Sequence, residues 1–141
     1  MPGTRALAIS ERTSRSSTTR METVLVVDDE QGILEALADL LREEGYRVLT
    51  ASHGREALER MAELRPDLVL TDWMMPVLDG PALIERIRAE PAYKDVSLMG
   101  MSAVDVSALR HRYPGMPFLQ KPFDIHALMR QVRKALDGKQ G

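Results

Sequence analysis

The feature that most constrains the fold is a strict alternation of short apolar runs with segments of helical periodicity. The apolar runs lie at residues 24–27, 48–51, 68–71, 96–101 and 117–120, and an amphipathic stretch follows each of them. Strands that alternate with helices in this way form a parallel sheet with helices on both faces. The sequence therefore predicts an α/β fold with a doubly wound, five-stranded parallel sheet and five helices.

Glycine and short polar residues mark the ends of the predicted helices. Gly45 is placed to end the first helix in a left-handed turn. Ser52, Asp79 and Asp124 are predicted N-caps of the second, third and fifth helices. The fourth helix, within residues 104–112, has the weakest periodicity and is predicted to be short or irregular.

Polar side chains stand at the ends of four apolar runs. Asp28 and Asp29 follow the first run, Asp72 ends the third, Ser102 ends the fourth and Lys121 follows the fifth. Right-handed crossovers place the carboxyl ends of parallel strands on one edge, so these five side chains are expected to meet there. Carboxylates, a hydroxyl and an ammonium together can bind a divalent cation and handle a phosphoryl group.

The charge density expected at this edge favours a bound cation. Two carboxylates about 5 Å apart repel each other by roughly 3 kcal/mol at an effective dielectric constant near 20. Three of them, Asp28, Asp29 and Asp72, would cost a sizeable fraction of a domain's net stability. Lys121 offsets one charge, and a bound divalent cation would offset the rest. Taken singly, each aspartate could be a helix cap or a solvated strand end, so the prediction rests on the set.

Composition excludes several other classes of protein. The 141 residues contain no cysteine, which rules out disulfides and thiolate metal sites. No apolar run approaches the roughly 20 residues of a membrane span, and no glycine-rich nucleotide-binding pattern follows a strand. We therefore predict a single cytoplasmic domain without membrane insertion or a nucleotide cofactor.

Residues 1–20 differ in composition from the rest of the chain. They carry a net charge of +3 and contain eight serines and threonines. Since the whole chain has a net charge of −2, residues 21–141 carry −5. The segment lacks the apolar core of a secretory signal, so a transit peptide or nucleic-acid arm is the alternative to a solvated tail. We predict a disordered N-terminal tail over 1–21, an ordered domain over 22–138 and a C-terminal tail over 139–141.

Taken in order, these motifs resemble the receiver domain of bacterial two-component response regulators, especially the chemotaxis type. The resemblance rests on Asp28-Asp29, Asp72-Trp73-Met74-Met75-Pro76, Asp79-Gly80, Ser102-Ala103 and Lys121-Pro122-Phe123. It implies the flavodoxin-like strand order 2-1-3-4-5. It also implies a stand-alone phosphoprotein of phosphorelay signal transduction, which is a signalling switch rather than an enzyme.

The resemblance also implies a role for each residue of the acidic set. Asp72 would accept a phosphoryl group from a sensor histidine kinase or a phosphotransfer protein. Asp29 would bind Mg²⁺ directly and Asp28 through water, and Asp72 and the backbone carbonyl of Met74 would complete the set. Lys121 would pair with a phosphoryl oxygen, and the peptide bond that follows it would be cis.

Two further residues would carry the signal outward, again by resemblance. The hydroxyl of Ser102 would bond the phosphoryl group, and Phe118 would be the switch aromatic. Their movement would reshape the face formed by the fourth helix, the fifth strand and the fifth helix for a downstream protein target. The chain ends just after the fifth helix, so direct DNA binding is not expected.

The chain departs from the family pattern in two respects. The interval from Ser102 to Lys121 is about three residues shorter than the family's, which puts the usual output surface in doubt. The positions two after Asp72 and two after Ser102 hold Met74 and Val104, and neither side chain can orient a water. Two alternatives therefore stay open, a receiver-like interaction module that is never phosphorylated and an aspartyl-nucleophile phosphohydrolase. The hydrolase is disfavoured because it needs an acid where Met74 stands.

Overall fold

The computed structural model describes residues 21–138, so the predictions for residues 1–20 and 139–141 lie outside the described part. The elements in chain order are β1 Thr23–Val27, α1 Gln31–Glu43, β2 Arg47–Ala51, α2 Gly54–Glu63, β3 Leu68–Asp72, α3 Gly80–Arg88, β4 Ser97–Ser102, α4 Ser107–Arg112, β5 Phe118–Gln120 and α5 Ile125–Gly138, with a 3-10 turn at Pro91–Tyr93. The five strands are parallel in the order β2-β1-β3-β4-β5. The predicted fold is confirmed.

The helices cover both faces of the sheet because the central strands are apolar on both sides. In β1, Val24 and Val26 pack with α1 and α5, whereas Leu25 and Val27 pack with α2 and α3. All four side chains are fully buried. A third, smaller cluster lies beside α4 and contains Trp73, Ile84, Val106, Met116 and Phe118. This cluster joins the polar edge of the sheet to the α4 side.

Three of the predicted helix boundaries are confirmed. Gly45 has a φ of +98°, the left-handed conformation that ends α1. Asp79 Oδ1 accepts a hydrogen bond from the Ala82 N–H at 3.0 Å, and Asp124 Oδ1 accepts one from the His126 N–H at 3.0 Å. These caps fix where α3 and α5 begin relative to the strand ends before them.

The predicted N-cap of α2 was wrong by one residue. His53, not Ser52, is the cap, and its ring nitrogen Nδ1 accepts from the Glu56 N–H at 3.2 Å. Glu56 in turn accepts hydrogen bonds from the N–H and hydroxyl of Ser52 at 2.7 and 3.0 Å. These bonds, led by the one from the Ser52 N–H, hold the pKa of Glu56 below its usual value. Ser52 therefore supports the helix as a donor and not as the capping acceptor.

The α4 region is short, as predicted. The helix contains six residues and starts at Ser107, three residues later than the periodicity indicated. Val106 is buried in the third cluster, and the Asp105 carboxylate accepts from the Ser107 N–H at 2.9 Å. The chain before Ser107 is thus held by packing and a local turn. Within residues 21–138, no helix is long and apolar enough to cross a membrane.

Candidate functional site

Three carboxylates meet at the carboxyl edge of the sheet. Asp28 directly follows β1, and Asp72 is the last residue of β3, the neighbour of β1 in the sheet. One oxygen each of Asp28, Asp29 and Asp72 lies within 4.8 Å of the others. Asp28 and Asp72 are buried, whereas Asp29 is exposed. The structure thus brings together the acidic set predicted from the sequence.

Lys121 bridges the two buried carboxylates. Its Nζ lies 2.9 Å from Asp28 Oδ2 and 3.2 Å from Asp72 Oδ1, and its side chain is 15% exposed. Asp28 Oδ1 accepts from the Glu30 N–H at 2.9 Å, so both oxygens of Asp28 have protein partners. The peptide bond between Lys121 and Pro122 is cis, as predicted. Asp72 and the exposed Asp29 are therefore the carboxylates with the most capacity for a further ligand.

Burial and the neighbouring charges shift the pKa values of Asp72 and Lys121. Burial, and then the negative charge of Asp28, raises the pKa of Asp72, and Lys121 only partly opposes this. Burial by itself would lower the pKa of Lys121, but hydrogen bonding and attraction to Asp28 and then Asp72 raise it overall. One ammonium faces three carboxylates, and an oxygen-rich, negatively charged site of this kind suits Mg²⁺.

Ser102 lies beside Lys121 at the same edge. It is the last residue of β4, is almost completely buried, and pairs with Gln120 in the β4–β5 register. The Lys121 N–H donates to the Ser102 carbonyl at 2.7 Å, and the Ser102 hydroxyl oxygen accepts from the Val104 N–H at 3.2 Å. Because the Ser102 hydroxyl oxygen is the acceptor in its bond with Val104, the hydroxyl proton can still be donated to another group.

Phe118 packs inside an aromatic cluster that the sequence reading missed. The side chain is 2% exposed, and its ring centroid lies 5.0 Å from that of Trp73 in an edge-on arrangement. Tyr113 lies edge-on to Trp73 at 5.3 Å and completes the group. Since Trp73 directly follows Asp72, this cluster connects the acidic pocket to β5 through ring contacts.

Gly100 provides the space for the Phe118 ring. A Cβ at this position would lie 2.6 Å from two carbon atoms of that ring and 3.3 Å from the ring of Trp73. Gly100 has no role that the apolar pattern of the fourth run assigns to it. A glycine inside a strand can also mark close packing by a neighbouring group, and that signal was available.

The loops around the acidic pocket expose apolar side chains. Met74 is 69% exposed, Val77 is 66% exposed and Val104 is 54% exposed. Val77 also has a φ of +70°, which is strained for a β-branched residue. The predicted role of the Met74 carbonyl as a metal ligand stays a prediction. The pocket rim therefore offers no polar side chain at the two positions that Met74 and Val104 occupy.

Comparison with known proteins places this geometry in a family. The family model described as "Response regulator receiver domain" matches residues 24–133. Sporulation initiation phosphotransferase F of Bacillus subtilis is 30% identical over 116 residues, which cover 82% of this chain and 94% of that protein. Transcriptional regulatory protein PrrA of Mycobacterium tuberculosis is 38% identical over 118 residues, and the chain spans only 49% of its length.

Solved structures agree with the sequence relatives. Chemotaxis response regulator CheY4 of Vibrio cholerae superposes with a TM-score of 0.76 and 29% identity, covering 83% of this chain and all of that one. The receiver domain of sensor histidine kinase PA1611 of Pseudomonas aeruginosa, with magnesium in its active site cleft, superposes with a TM-score of 0.75 and 28% identity. The match covers 84% of this chain and 99% of that one. The chain therefore belongs to the response regulator receiver family, the phosphoryl-accepting switches of two-component signalling.

Proposed function

We propose that this chain is switched by phosphorylation of Asp72, and that the other members of the acidic pocket serve that reaction. The observation that carries the proposal is the position of the Asp72 carboxylate, at the end of β3 and 3.2 Å from the Lys121 ammonium. The carboxylates of Asp28 and Asp29 lie within 4.8 Å of it. A carboxylate at this position can act as a nucleophile toward phosphorus.

The donor in the proposed reaction is a phosphohistidine on a sensor kinase or phosphotransfer protein. An oxygen of Asp72 forms a bond to phosphorus while the bond from phosphorus to the histidine nitrogen breaks. The electron pair of the broken bond returns to the imidazole, and Asp72 becomes an acyl phosphate. Lys121 offsets negative charge beside Asp72, and the Ser102 hydroxyl can donate its proton to a phosphoryl oxygen.

The same pocket is proposed to hold Mg²⁺. Asp29 and Asp72 would bind the ion, and Asp28, whose oxygens already have protein partners, would support it through water. Bound Mg²⁺ would neutralise charge that builds up as one anion approaches another. Asp29 suits this role because it is the exposed carboxylate of the set.

The proposed output passes from the pocket to the α4–β5–α5 side through the aromatic cluster. Trp73 contacts Phe118, and Phe118 is the first residue of β5. A change at Asp72 can therefore bias the packing of Phe118 and with it the surface that a downstream protein would contact. Because α4 has only six residues and two of the three residues of β5 are buried, most of that surface comes from α5.

Incorporation of phosphate from a small acyl-phosphate donor tests the assignment. Wild-type protein with Mg²⁺ should gain one phosphate by mass, and Asp72→Asn should gain none while keeping its circular dichroism spectrum. Asp39→Asn, which removes an exposed carboxylate of α1, serves as the matched control and should react like wild type. Phosphate uptake by Asp72→Asn contradicts the assignment. Rapid donor turnover would indicate a hydrolase, and no reaction would indicate an interaction module.

The fluorescence of Trp73 tests the metal site. This is the only tryptophan in the chain, and it directly follows Asp72. Millimolar Mg²⁺ should change its emission in wild type and in Asp39→Asn, and Asp29→Ala should remove the response. An unchanged titration in Asp29→Ala would show that Mg²⁺ does not bind at this pocket.

A further inference from the structure

We propose that Gly54, the first residue of α2, is a positioning residue for the Mg²⁺ site. It acts through Leu78, which belongs to the segment between β3 and α3. We call this segment, residues 73–79, the β3–α3 loop. The inference rests on the metal site proposed above, because the loop carries Met74, whose carbonyl the family resemblance assigns to the metal.

The backbone of α2 touches the backbone of the β3–α3 loop at Gly54. The Gly54 N–H donates to the Leu78 carbonyl at 3.2 Å. A Cβ at Gly54 would overlap that carbonyl oxygen and would lie 2.8 Å from the Leu78 Cβ. A backbone carbonyl cannot rotate away as the end of a flexible side chain can. Any residue larger than glycine would therefore push the loop away from α2.

The conformation of the β3–α3 loop needs support of this kind. The Leu78 N–H donates to the Pro76 carbonyl at 2.9 Å, and Val77 between them has a φ of +70°. This combination is typical of a rare and strained three-residue turn. A strained backbone persists only where the surrounding structure holds it in place. The contact with Gly54 supplies such a hold directly beside the strained residue.

A second contact closes the base of the loop. The Gly80 N–H donates to the Trp73 carbonyl at 3.0 Å, and a Cβ at Gly80 would lie 2.6 Å from the Trp73 ring. Because this contact fixes both ends of the loop, a shift forced on Leu78 has to be taken up by residues 74–77. Met74 lies in that segment, so a displacement at Leu78 reaches the residue assigned to the metal.

The amino end of α2 is in turn fixed relative to the acidic pocket. The Asp28 N–H donates to the carbonyl of Ala51, the last residue of β2, at 3.1 Å. The cap at His53 then fixes the first turn of the helix, through its ring nitrogen and through its carbonyl, which accepts from the Ala57 N–H at 3.0 Å. Through Gly54, the same helix end holds the β3–α3 loop in place relative to Asp28.

Mg²⁺ titrations followed by Trp73 fluorescence test the proposal. Gly54→Ala should raise the Mg²⁺ concentration at the midpoint at least about tenfold, because losing the support of metal ligands has effects of this size. Its phosphate uptake should be slow at low Mg²⁺ and recover at saturating Mg²⁺, because Asp72 belongs to β3 and not to the loop. Gly32→Ala, whose Cβ meets no atom within 4 Å, should match wild type. Met61→Ala, in the buried face of α2, should lower the thermal midpoint without changing the Mg²⁺ midpoint.

Substitutions at the cap give a milder test, which also decides the matter if Gly54→Ala does not fold. His53→Ala removes the ring acceptor and frays the first turn of α2, so it should raise the Mg²⁺ midpoint about threefold. His53→Asn supplies another side-chain acceptor and should keep the wild-type midpoint.

The outcomes separate this proposal from those above. Wild-type binding of Mg²⁺ with unchanged midpoints in Gly54→Ala and His53→Ala overturns the positioning role alone. An equal rise in Met61→Ala also overturns it, since general destabilisation then accounts for the effect. A wild type without any Mg²⁺ response overturns both the metal site and the positioning role. A wild type that binds Mg²⁺ but takes up no phosphate overturns only the phosphorylation of Asp72.

Discussion

The β2–β1–β3 side and the β4–β5 side of the sheet differ in the lengths of their elements, yet both contribute residues to one pocket. On the first, the long side, β1, β2 and β3 have five residues each and α1 has thirteen. On the second, which we call the short side for its connection between β4 and β5, α4 has six residues and β5 has three, although β4 has six and α5 has fourteen. The long side supplies Asp28, Asp29 and Asp72, and the short side supplies Ser102 and Lys121. A pocket made from strand ends depends on register and not on the length of the helices between them, so it tolerates a shortened α4.

Lys121 is the residue that connects the two sides. Its N–H donates to Ser102 on the short side, and its Nζ contacts Asp28 and Asp72 on the long side. Because these contacts are largely buried, their loss should affect the fold as well as the chemistry. Substitution of Lys121 should therefore disturb both sides at once.

The largest effect is expected for Lys121→Met measured without Mg²⁺. The substitution leaves Asp28 and Asp72 close together with no counter-charge, and removing one partner of a buried charge group costs about 3 kcal/mol. The free energy of unfolding, measured by urea denaturation with a chelator present, should fall by roughly that amount. Millimolar Mg²⁺ should restore part of the loss because the ion replaces the missing charge. Lys94→Met, an exposed lysine on the α4 side, is the control and should change stability by less than about 0.5 kcal/mol.

Adding Asp72→Asn to Lys121→Met should raise the free energy of unfolding again, and the size of this gain should depend on pH. Burial and the charge of Asp28 raise the pKa of Asp72, so its ionised form lowers the stability of the folded state. That cost appears as pH rises through the raised pKa and is absent below the usual carboxyl range. The gain from Asp72→Asn should therefore be present at neutral pH and shrink as pH falls. A gain that stays constant down to acidic pH would contradict this account.

The next effect concerns the aromatic contact between the two sides. Gly100→Ala would place a methyl group 2.6 Å from the Phe118 ring, and overpacking of this kind costs about 2 kcal/mol. The ring must move, so the Trp73 emission spectrum should change together with the thermal midpoint. Phe118→Leu in the same chain should relieve most of the penalty. Gly32→Ala is the control, since a Cβ there meets no atom within 4 Å. Equal destabilisation by both alanines would refute the packing argument.

The difference between the two sides also explains which features of the fold and of the site could be predicted from the sequence. The parallel sheet and the meeting of five polar side chains at one edge were predictable because alternation and strand ends are local signals read through a general topological rule, whereas the strand order was predicted from the family resemblance. The contact of Tyr113 with Trp73 was not predictable, since it depends on how the short connection folds back onto the sheet. Gly100 indicates close packing by a neighbouring group, but the sequence does not identify that group as the Phe118 ring. Ser52 was mistaken for a cap because a histidine ring nitrogen can also accept the capping bond.

A smaller effect is expected in the lifetime of the acyl phosphate. Hydrolysis needs a water held in line with the Asp72 oxygen, and the exposed side chains of Met74 and Val104 cannot hydrogen-bond it. We expect Met74→Asn combined with Val104→Glu to shorten the lifetime by about an order of magnitude, or about 1.4 kcal/mol of barrier. The measurement is the decay of phosphoprotein after donor removal. Val77→Asn, at an exposed position in the same loop as Met74, is the matched control and should decay like wild type. Equal decay in the double variant and wild type would refute the role of these two positions.

The smallest effect tests whether the loop that follows Asp72 carries strain. Val77 has a φ of +70°, where a β-branched residue is disfavoured by about 1–2 kcal/mol and asparagine is tolerated. Its side chain is 66% exposed, so Val77→Asn loses little packing. The variant should be more stable by about 1 kcal/mol, which raises the thermal midpoint by roughly 3–5 °C in a domain of this size. Val104→Asn changes an equally apolar, exposed valine of the short side and should give no such gain. An equal gain in both variants, or a loss in Val77→Asn, would show that the long side's loop is unstrained.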